Sequence, residues 1–339
     1  MRLRCAAVRD ETPDVRTWVF TEADGQPISF LPGQAVTLAL PGEGGTLHRT
    51  FSIASSALRP ERIELTVKAA PDGRATAWMR RNLQLGMTVE AAGPHGRFVL
   101  PCAPGPLALV SAGSGATPLM AMLRTLADSS RLGTAHADAV DVAWVHAART
   151  PGDVLFGAEL AELQGLLPRL TVAVTVARPS PGWFGYRGRA GRRLLSVMVP
   201  DLARRDVMCC GPAAFMDEVG RVHAAEGGVA GRFRTERFAP LSTPSPIPAS
   251  PDADDAYTVT FAGRSFPAVA AETVLQAAVR ANVVIPCGCG SGLCGTCRVR
   301  LHSGEVSMRH AGGLLAEEEA QGWILACSSR PRSDLVLGP

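Results

Sequence analysis

Three rhythms of apolar and polar positions follow one another along this chain. Up to about residue 101, short alternating runs ("TWVF", "AVTLAL", "RTFSIAS", "RIELTVKAA" and "MTVEAAG") are cut by glycine and proline. Alternation with period two turns one face of a strand to a core and the other to solvent, so these runs predict the antiparallel strands of a sheet or small barrel. One helical stretch, about Thr76 to Leu83, interrupts them. From Leu107 the apolar runs become continuous and alternate with helix-length segments. "LALVSAG" is followed by a helix over Thr117 to Leu126, "DVAWVHAA" by one around Phe156 to Leu167, and "LTVAVTVA" continues the pattern. "DVMCCG", a helix from about Pro212 to Ala225 and "GRFRTERF" complete it. Strands buried on both faces and joined by helices predict a parallel α/β sheet.

The third rhythm begins after "APLSTPSPIPASPDADD", Ala239 to Asp255, whose five prolines and lack of apolar periodicity read as a linker. "YTVTFAG" and "RSFPAV" predict a hairpin, "ETVLQAAVRAN" a capped helix, and short strands end the chain. The expected organisation is residues 1–102, 103–238, the linker 239–255, and 256–339.

Composition narrows the classes. The 339 residues suffice for two or three cores, and 46% are hydrophobic. The net charge of +3 is spread along the chain, which argues against a nucleic-acid surface. The N-terminus carries charges throughout and lacks the apolar stretch of a signal peptide, and no apolar run approaches membrane-spanning length. Nine cysteines, an odd number and locally clustered, point to bound metal in a reducing compartment, so the cytoplasm is the expected location.

Four of those cysteines lie in "IPCGCGSGLCGTC", Ile285 to Cys297. Cys289, Cys294 and Cys297 have the spacing C-x4-C-x2-C, and Cys327 follows after 29 intervening residues. This is the ligand spacing of plant-type [2Fe–2S] centres. A structural zinc site favours two C-x2-C pairs, and only Cys294/Cys297 supplies one. Cys287 falls outside the pattern and reads as a small core or loop thiol. The segment from about Tyr257 onward resembles a plant-type ferredoxin, with Gly290 where that family commonly has arginine.

Two further groups of residues resemble the ferredoxin–NADP reductase superfamily. "RTFS", Arg49 to Ser52, "PDGRATAW" at 71–78 and "GPHGRF" at 93–98 resemble its FAD-binding domain. The resemblance implies that Arg49 holds the flavin phosphate, Phe51 stacks on the isoalloxazine in place of the usual tyrosine, and Ser52 bonds near flavin N5. It places Thr50 in the same cofactor-binding strand, and Gly73, Arg74 and Thr76 at the pyrophosphate. FAD is expected; some relatives use FMN instead. "SAGSGATPLM" opens the second region, with Gly113, Ser114 and Gly115 in a turn before a helix, where N–H groups face an anion. It lacks the third glycine of the Rossmann fingerprint, and Pro118 is expected to start the helix. "CCGPAAFM" resembles the family's CGP element. By that resemblance Thr117 and Cys210 flank the nicotinamide, with Gly211 and Pro212 beside them. Cys210 orients the ring and is not a nucleophile.

The whole chain thus resembles a multidomain reductase. It comprises an antiparallel β-barrel flavin domain, a parallel α/β nicotinamide domain and an α+β, β-grasp-like [2Fe–2S] ferredoxin domain. The resemblance implies hydride transfer from NADH or NADPH to flavin at the atoms flanked by Ser52, Thr117 and Cys210, then single electrons through the cluster to another protein. NADH is the expected donor, with Arg149, Arg178, Arg187 and Arg189 as the residues positioned to read a 2′-phosphate. The expected acceptor is a separate Rieske-type oxygenase, including those that demethylate betaine-like amines. A hybrid-cluster protein or a diiron hydroxylase is the alternative acceptor, and a redox sensor without turnover is the alternative of another kind. His310, in "MRHAGGLL", is read as a loop residue packing beside the cluster. A monomer is expected.

Overall fold

The computed structural model describes residues 1–42, 45–69, 73–133, 140–238, 256–287, 290, 292, 295–310, 313–314 and 316–339. The expected linker 239–255 and the expected ligands Cys289 and Cys294 lie outside the described residues.

Strands β1 (Arg2–Thr12), β2 (Val15–Glu22), β3 (Ala35–Gly42), β4 (Gly45–Ser52), β5 (Ile63–Lys68) and β6 (Thr88–His95) form one antiparallel sheet in the order β4-β3-β6-β1-β2-β5. Just past β4, the Ala54 N–H donates to the Glu64 carbonyl of β5 at 2.8 Å, so the two edges meet and the sheet curls into a barrel. Leu3, Trp18, Phe20, Val36, Leu38 and Leu65 fill it. Strand β1 was not among the predicted strands. Its pairing with β2 slips between Cys5 and Ala7 and again between Asp10 and Thr12, and such bulges destroy the alternation by which a strand is read. Helix α1 (Arg74–Asn82) buries Ala75 and Met79, and the Trp18 indole N–H donates to the Leu83 carbonyl beyond its last turn at 3.0 Å.

The central sheet is parallel throughout. It is built from β7 (Leu107–Ala112), β8 (Val142–Ala148), β9 (Leu170–Val176), β10 (Tyr186–Arg187), β11 (Asp206–Cys210) and β12 (Phe233–Glu236) in the order β10-β9-β8-β7-β11-β12. Helices α2 (Ala116–Arg131), α3 (Gly157–Leu166), α4 (Arg192–Met198) and α5 (Ala213–Ala225) connect and cover it. Pro118 falls inside the first turn of α2 rather than starting it, a position where its missing N–H has no intrahelical partner to lose. Strand β10 and helix α4 were not anticipated; they have two and seven residues, too few to display a period. The chain runs outward from β7 through β8 to β10, then returns to add β11 and β12 on the other side. The crevice at the carboxyl ends of β7 and β11 is therefore the topological switch point, where open α/β sheets bind ligands.

Barrel and central sheet meet across an ion network. Arg124 of α2 forks onto Glu159 of α3, both contacts at 2.7 Å, and reaches Glu64 of β5 at 3.1 Å. Arg59 forks onto Asp128. Burial alone would raise the Glu64 pKa, but Arg124 and Arg9 hold it below its ordinary value. Arg124 and Glu64 expose only 12% and 11% of their side chains. Removing one partner of such a pair costs about 3–5 kcal/mol, because the other charge is left buried without compensation. The adjoining cleft of about 910 Å³ is lined by these matched charges.

The C-terminal sheet takes β13 (Ala256–Phe261), β14 (Arg264–Val269), β15 (Arg298–Ser303), β17 (Trp323–Leu325) and β19 (Leu335–Gly338) in the order β14-β13-β19-β15-β17. Strands β16 (Val306–Met308) and β18 (Ser329–Pro331) form a separate ladder. Helix α6 (Val274–Arg280) packs Val274, Leu275, Ala277 and Ala278 inward and starts with a capping box between Thr273 and Gln276. A five-residue helix, α7 (Ala316–Ala320), was not anticipated. Among the described residues no helix is long and apolar enough to cross a membrane.

Candidate functional site at the sheet switch point

Gly113, at φ 55°, begins a single 3-10 turn that ends at Gly115 and runs into α2. A Cβ on Gly115 would collide with the Cys210 carbonyl, so only glycine lets the ends of β7 and β11 approach this closely. A Cβ on Gly211 would lie 3.0 Å from that of Ala112, and Pro212 then caps α5. The two sequence motifs are thus in backbone contact. Thr117 is buried and donates to the Ser114 carbonyl at 3.0 Å, fixing the turn.

The strand register aligns Ser111, Cys210 and Glu236 across β7, β11 and β12. Cys210 is fully buried, and burial, then Glu236 and Cys209, push its thiol well above the ordinary value. It stays neutral, which suits packing against a ring and not nucleophilic attack. Ser52, at the end of β4, donates to Glu236 Oε2 at 2.9 Å. Glu236 as a residue is only partly buried, but its carboxyl is desolvated, and this raises its pKa to about 8 against the opposing Ser52 bond. A carboxylic acid therefore sits beside the Cys210 strand end at neutral pH. Sequence reasoning missed Glu236; the only signal was one acid within the basic strand "GRFRTERF".

On β4, side-chain alternation sets Arg49 and Phe51 on one face and Thr50 and Ser52 on the other. Phe51 is half-buried against the barrel core. Burial, then the nearby Arg74 at the start of α1, depress the Arg49 pKa. The Arg49 side chain donates to the His48 carbonyl at 2.8 Å, and among the described residues neither arginine has a carboxylate partner. The first turn of α1 contains no acid, and its N-cap, Gly73, makes no side-chain cap bond. Thr76 donates back to the Gly73 carbonyl at 3.3 Å. Two uncompensated guanidiniums at open helix N–H groups form a cradle suited to phosphate.

The cluster loop shows two of the four expected ligands. Cys297 and Cys327 are both buried. The Cys327 N–H points at Cys297 Sγ at 3.4 Å, and the Gly292 N–H at Cys327 Sγ at 3.2 Å. Backbone donors aimed at sulfur are what an anionic thiolate cluster needs around it. Cys287 lies within hydrogen-bonding reach of Cys297 and, ahead of burial, pushes that thiol's pKa up. His310 packs its backbone against Gly292, where a Cβ would lie 2.8 Å from the His310 Cα, and its Nε2 meets Glu319 at 2.8 Å.

The cluster loop is docked on the barrel. The Cys287 carbonyl can only accept, so Thr50 donates to it; Thr37 then donates to Thr50 at 2.8 Å, and His95 Nε2–H to Thr37 at 2.9 Å. Burial lowers the His95 pKa to about 4, so this ring is neutral. Arg97 adds contacts to Glu318 of α7 at 2.8 and 3.1 Å, and Arg298 also reaches Glu318. Leu275, Val279, Val283 and Ile285 face Thr37, His48 and Thr50 across the same junction.

Comparison with known proteins agrees with this geometry. Residues 3–100 match the oxidoreductase FAD-binding domain, 109–221 the oxidoreductase NAD-binding domain, and 258–332 the 2Fe-2S iron–sulfur cluster binding domain. The chain is 36% identical to a glycine betaine monooxygenase reductase subunit of Chromohalobacter salexigens, over 99% of this chain and 94% of the relative. It is 37% identical to a stachydrine N-demethylase reductase subunit of Rhizobium meliloti, over 97% and 94%. A phthalate dioxygenase reductase structure, described as modular for electron transfer from pyridine nucleotides to [2Fe–2S], superposes with a TM-score of 0.62 at 26% identity, covering 100% of this chain and 98% of that one. NAD(P)H-dependent flavin and iron–sulfur oxidoreductase chemistry follows from these three matches together. With full-length identity above 30% to reductase subunits and all three domains present in one order, the chain belongs to the ferredoxin–NADP reductase superfamily, as a flavoprotein carrying a C-terminal plant-type [2Fe–2S] module.

Proposed function

We propose that this protein is the NADH-dependent reductase of a separate Rieske-type oxygenase that demethylates a quaternary amine of the betaine or stachydrine kind. The observation that carries the electron route is on β4. There Ser52 reaches Glu236 beside Cys210, and Thr50 holds the Cys287 carbonyl of the cluster loop, with Phe51 between them in sequence and packed on the barrel core. Two residues on one face of this strand thus reach the central-sheet strand end and the cluster loop. The amine substrate class is supported by the reductase subunits to which the chain is similar over its whole length.

Arg49, Gly73, Arg74 and Thr76 would hold the FAD pyrophosphate, Phe51 would cover the ring, Thr50 would order the same strand, and Ser52 would bond at the ring edge. Gly113, Ser114, Gly115, Gly211 and Pro212 would receive the dinucleotide, with Thr117 and Cys210 against the nicotinamide. Cys289, Cys294, Cys297 and Cys327 would ligate the cluster. When bound, flavin converts a two-electron hydride donor into the single electrons a [2Fe–2S] centre accepts. The chain orients the reacting atoms, and Glu236 holds a proton against Ser52. NADH is favoured because the carboxylates of Asp153, at 2.6 Å from Arg149 next to the end of β8, and Asp14, at 3.4 Å, make this position unfavourable for a 2′-phosphate. The functional division is 1–102, 103–238, 239–255 and 256–339, in a cytoplasmic monomer.

Anaerobic titration of the cluster-replete protein with NADH and, separately, NADPH, followed by absorption and EPR, tests this reading. Flavin bleaching with a reduced [2Fe–2S] signal, faster with NADH, is expected. Bound cofactors that neither donor reduces would sink it.

A further inference from the structure

Resting on the reading that the cluster reduces a separate protein, the geometry points to where that protein docks. We infer that electrons leave at Cys327, through a basic surface that receives an acidic patch of the acceptor. A cavity of about 480 Å³ is lined by Cys327, Ser307, Ser328, Arg309, Arg330 and Arg332, together with Thr273. No lining residue comes from the barrel or the central sheet, so this face stays open while the Cys287 side is docked on Thr50.

The charge is one-sided. Arg309, Arg330 and Arg332 are exposed, no carboxylate lines the cavity, and among the described residues none of the three guanidiniums has an acidic partner. Elsewhere the chain pairs its arginines readily, as at Arg59, Arg124, Arg205 and Arg280. The backbone that carries the three is held in place. Strand β18 sets Arg330 opposite Ser307 of β16, the Arg309 N–H donates to the Ser328 carbonyl at 3.1 Å, and the Arg332 N–H to the Glu305 carbonyl at 2.9 Å. Arg330 on β18 and Arg332 just past its end both line the cavity. Like charges gathered without counter-charge repel one another, and that repulsion is relieved when carboxylates of a partner arrive.

The consequence is a through-route. The cluster loop meets the barrel through Cys287, and Cys327, in the separate turn between β17 and β18, opens on the basic cavity. The module accepts and delivers electrons without leaving its docked position.

The test uses the full holoprotein with the triple variant Arg309→Glu, Arg330→Glu, Arg332→Glu. NADH-driven cluster reduction and onward reduction of two probes are followed by stopped flow at low ionic strength. The probes are the soluble domain of cytochrome b5, an acidic protein, and cytochrome c, a basic one. The variant is expected to reduce cytochrome b5 about tenfold or more slowly, given the range over which steering alters encounter rates, and cytochrome c faster. Its cluster reduction by NADH stays unchanged. The glutamine triple variant should fall between, and salt should slow the unmodified protein towards cytochrome b5, which covers poor folding of the reversed protein. Equal rates in all variants, or parallel loss towards both probes, overturn the proposal alone. A cluster that NADH does not reduce in the unmodified protein overturns the reductase reading and this proposal with it.

Discussion

Three of the four expected cluster ligands, Cys289, Cys294 and Cys297, fall within nine residues, whereas Ser52 and Glu236 are 184 positions apart and meet only through the fold. The first is legible in the sequence as a local spacing, Cys289 and Cys294 lying outside the described residues, and the Gly292 N–H in that stretch turns to the distant fourth sulfur, Cys327 Sγ. The second is assembled from four segments, with the ends of β7 and β11 touching backbone to backbone at Gly115. The two also handle charge differently. The cluster loop gathers groups that become anionic when ligating metal, while the switch point keeps a neutral thiol and a protonated carboxyl in a desolvated corner. A locally built site is vulnerable at its ligands, and a tertiary site at the contact that brings its walls together.

Substitutions can separate the two. The largest effect is expected from Cys327→Ser, which should abolish the [2Fe–2S] EPR signal and all electron delivery while NADH still bleaches the flavin. Loss of flavin reduction as well would mean that the two sites are not separable. Next is Gly115→Ala, whose methyl collides with the Cys210 carbonyl. Displacement of about 1 Å at a reacting centre costs on the order of a hundredfold, so hydride transfer should fall by about that factor. Dithionite should still reduce the cluster, with an unaltered EPR signal. The smallest effect is that of Glu236→Gln. The folded carboxyl keeps its proton up to about pH 8, against an ordinary value of 4.5. Its contribution to stability is therefore full below 4.5 and is lost as pH rises through about 8. Melting temperature and flavin-reduction rate should both decline through that window in the unmodified protein. The glutamine variant should show a flatter profile with a severalfold change in rate at most.

The parts of this molecule that could be read beforehand are those set by local backbone chemistry. The cysteine spacing, the glycine turns before α2 and α5, and the capping box at Thr273 each depend on residues within a few positions. The alternation of apolar strands with helices was enough for the parallel sheet. Strand β1 escaped because its bulges interrupt the period of two, and β10 and α4 because they are too short for their periods to repeat enough to be read. Glu236 escaped because no local motif marks it; its importance comes from lying across two strands from Ser111 and within reach of Ser52.

What the sequence by itself determined was the set of chemistries: thiolate spacing for a cluster, glycine-bearing helix starts for phosphates, and a serine at a strand end. These are short-range properties, in which the identity of neighbouring residues dictates the available backbone conformations and donors. Tertiary structure alone decided which of them act together. The pairing of Ser52 with Glu236, the contact of Gly115 with Cys210, and the chain from His95 through Thr37 and Thr50 to the Cys287 carbonyl all join residues far apart in sequence. Such contacts form only where burial of separate cores brings the surfaces together, and desolvation there sets the protonation of Glu236 and His95, which neither residue carries in its own sequence neighbourhood.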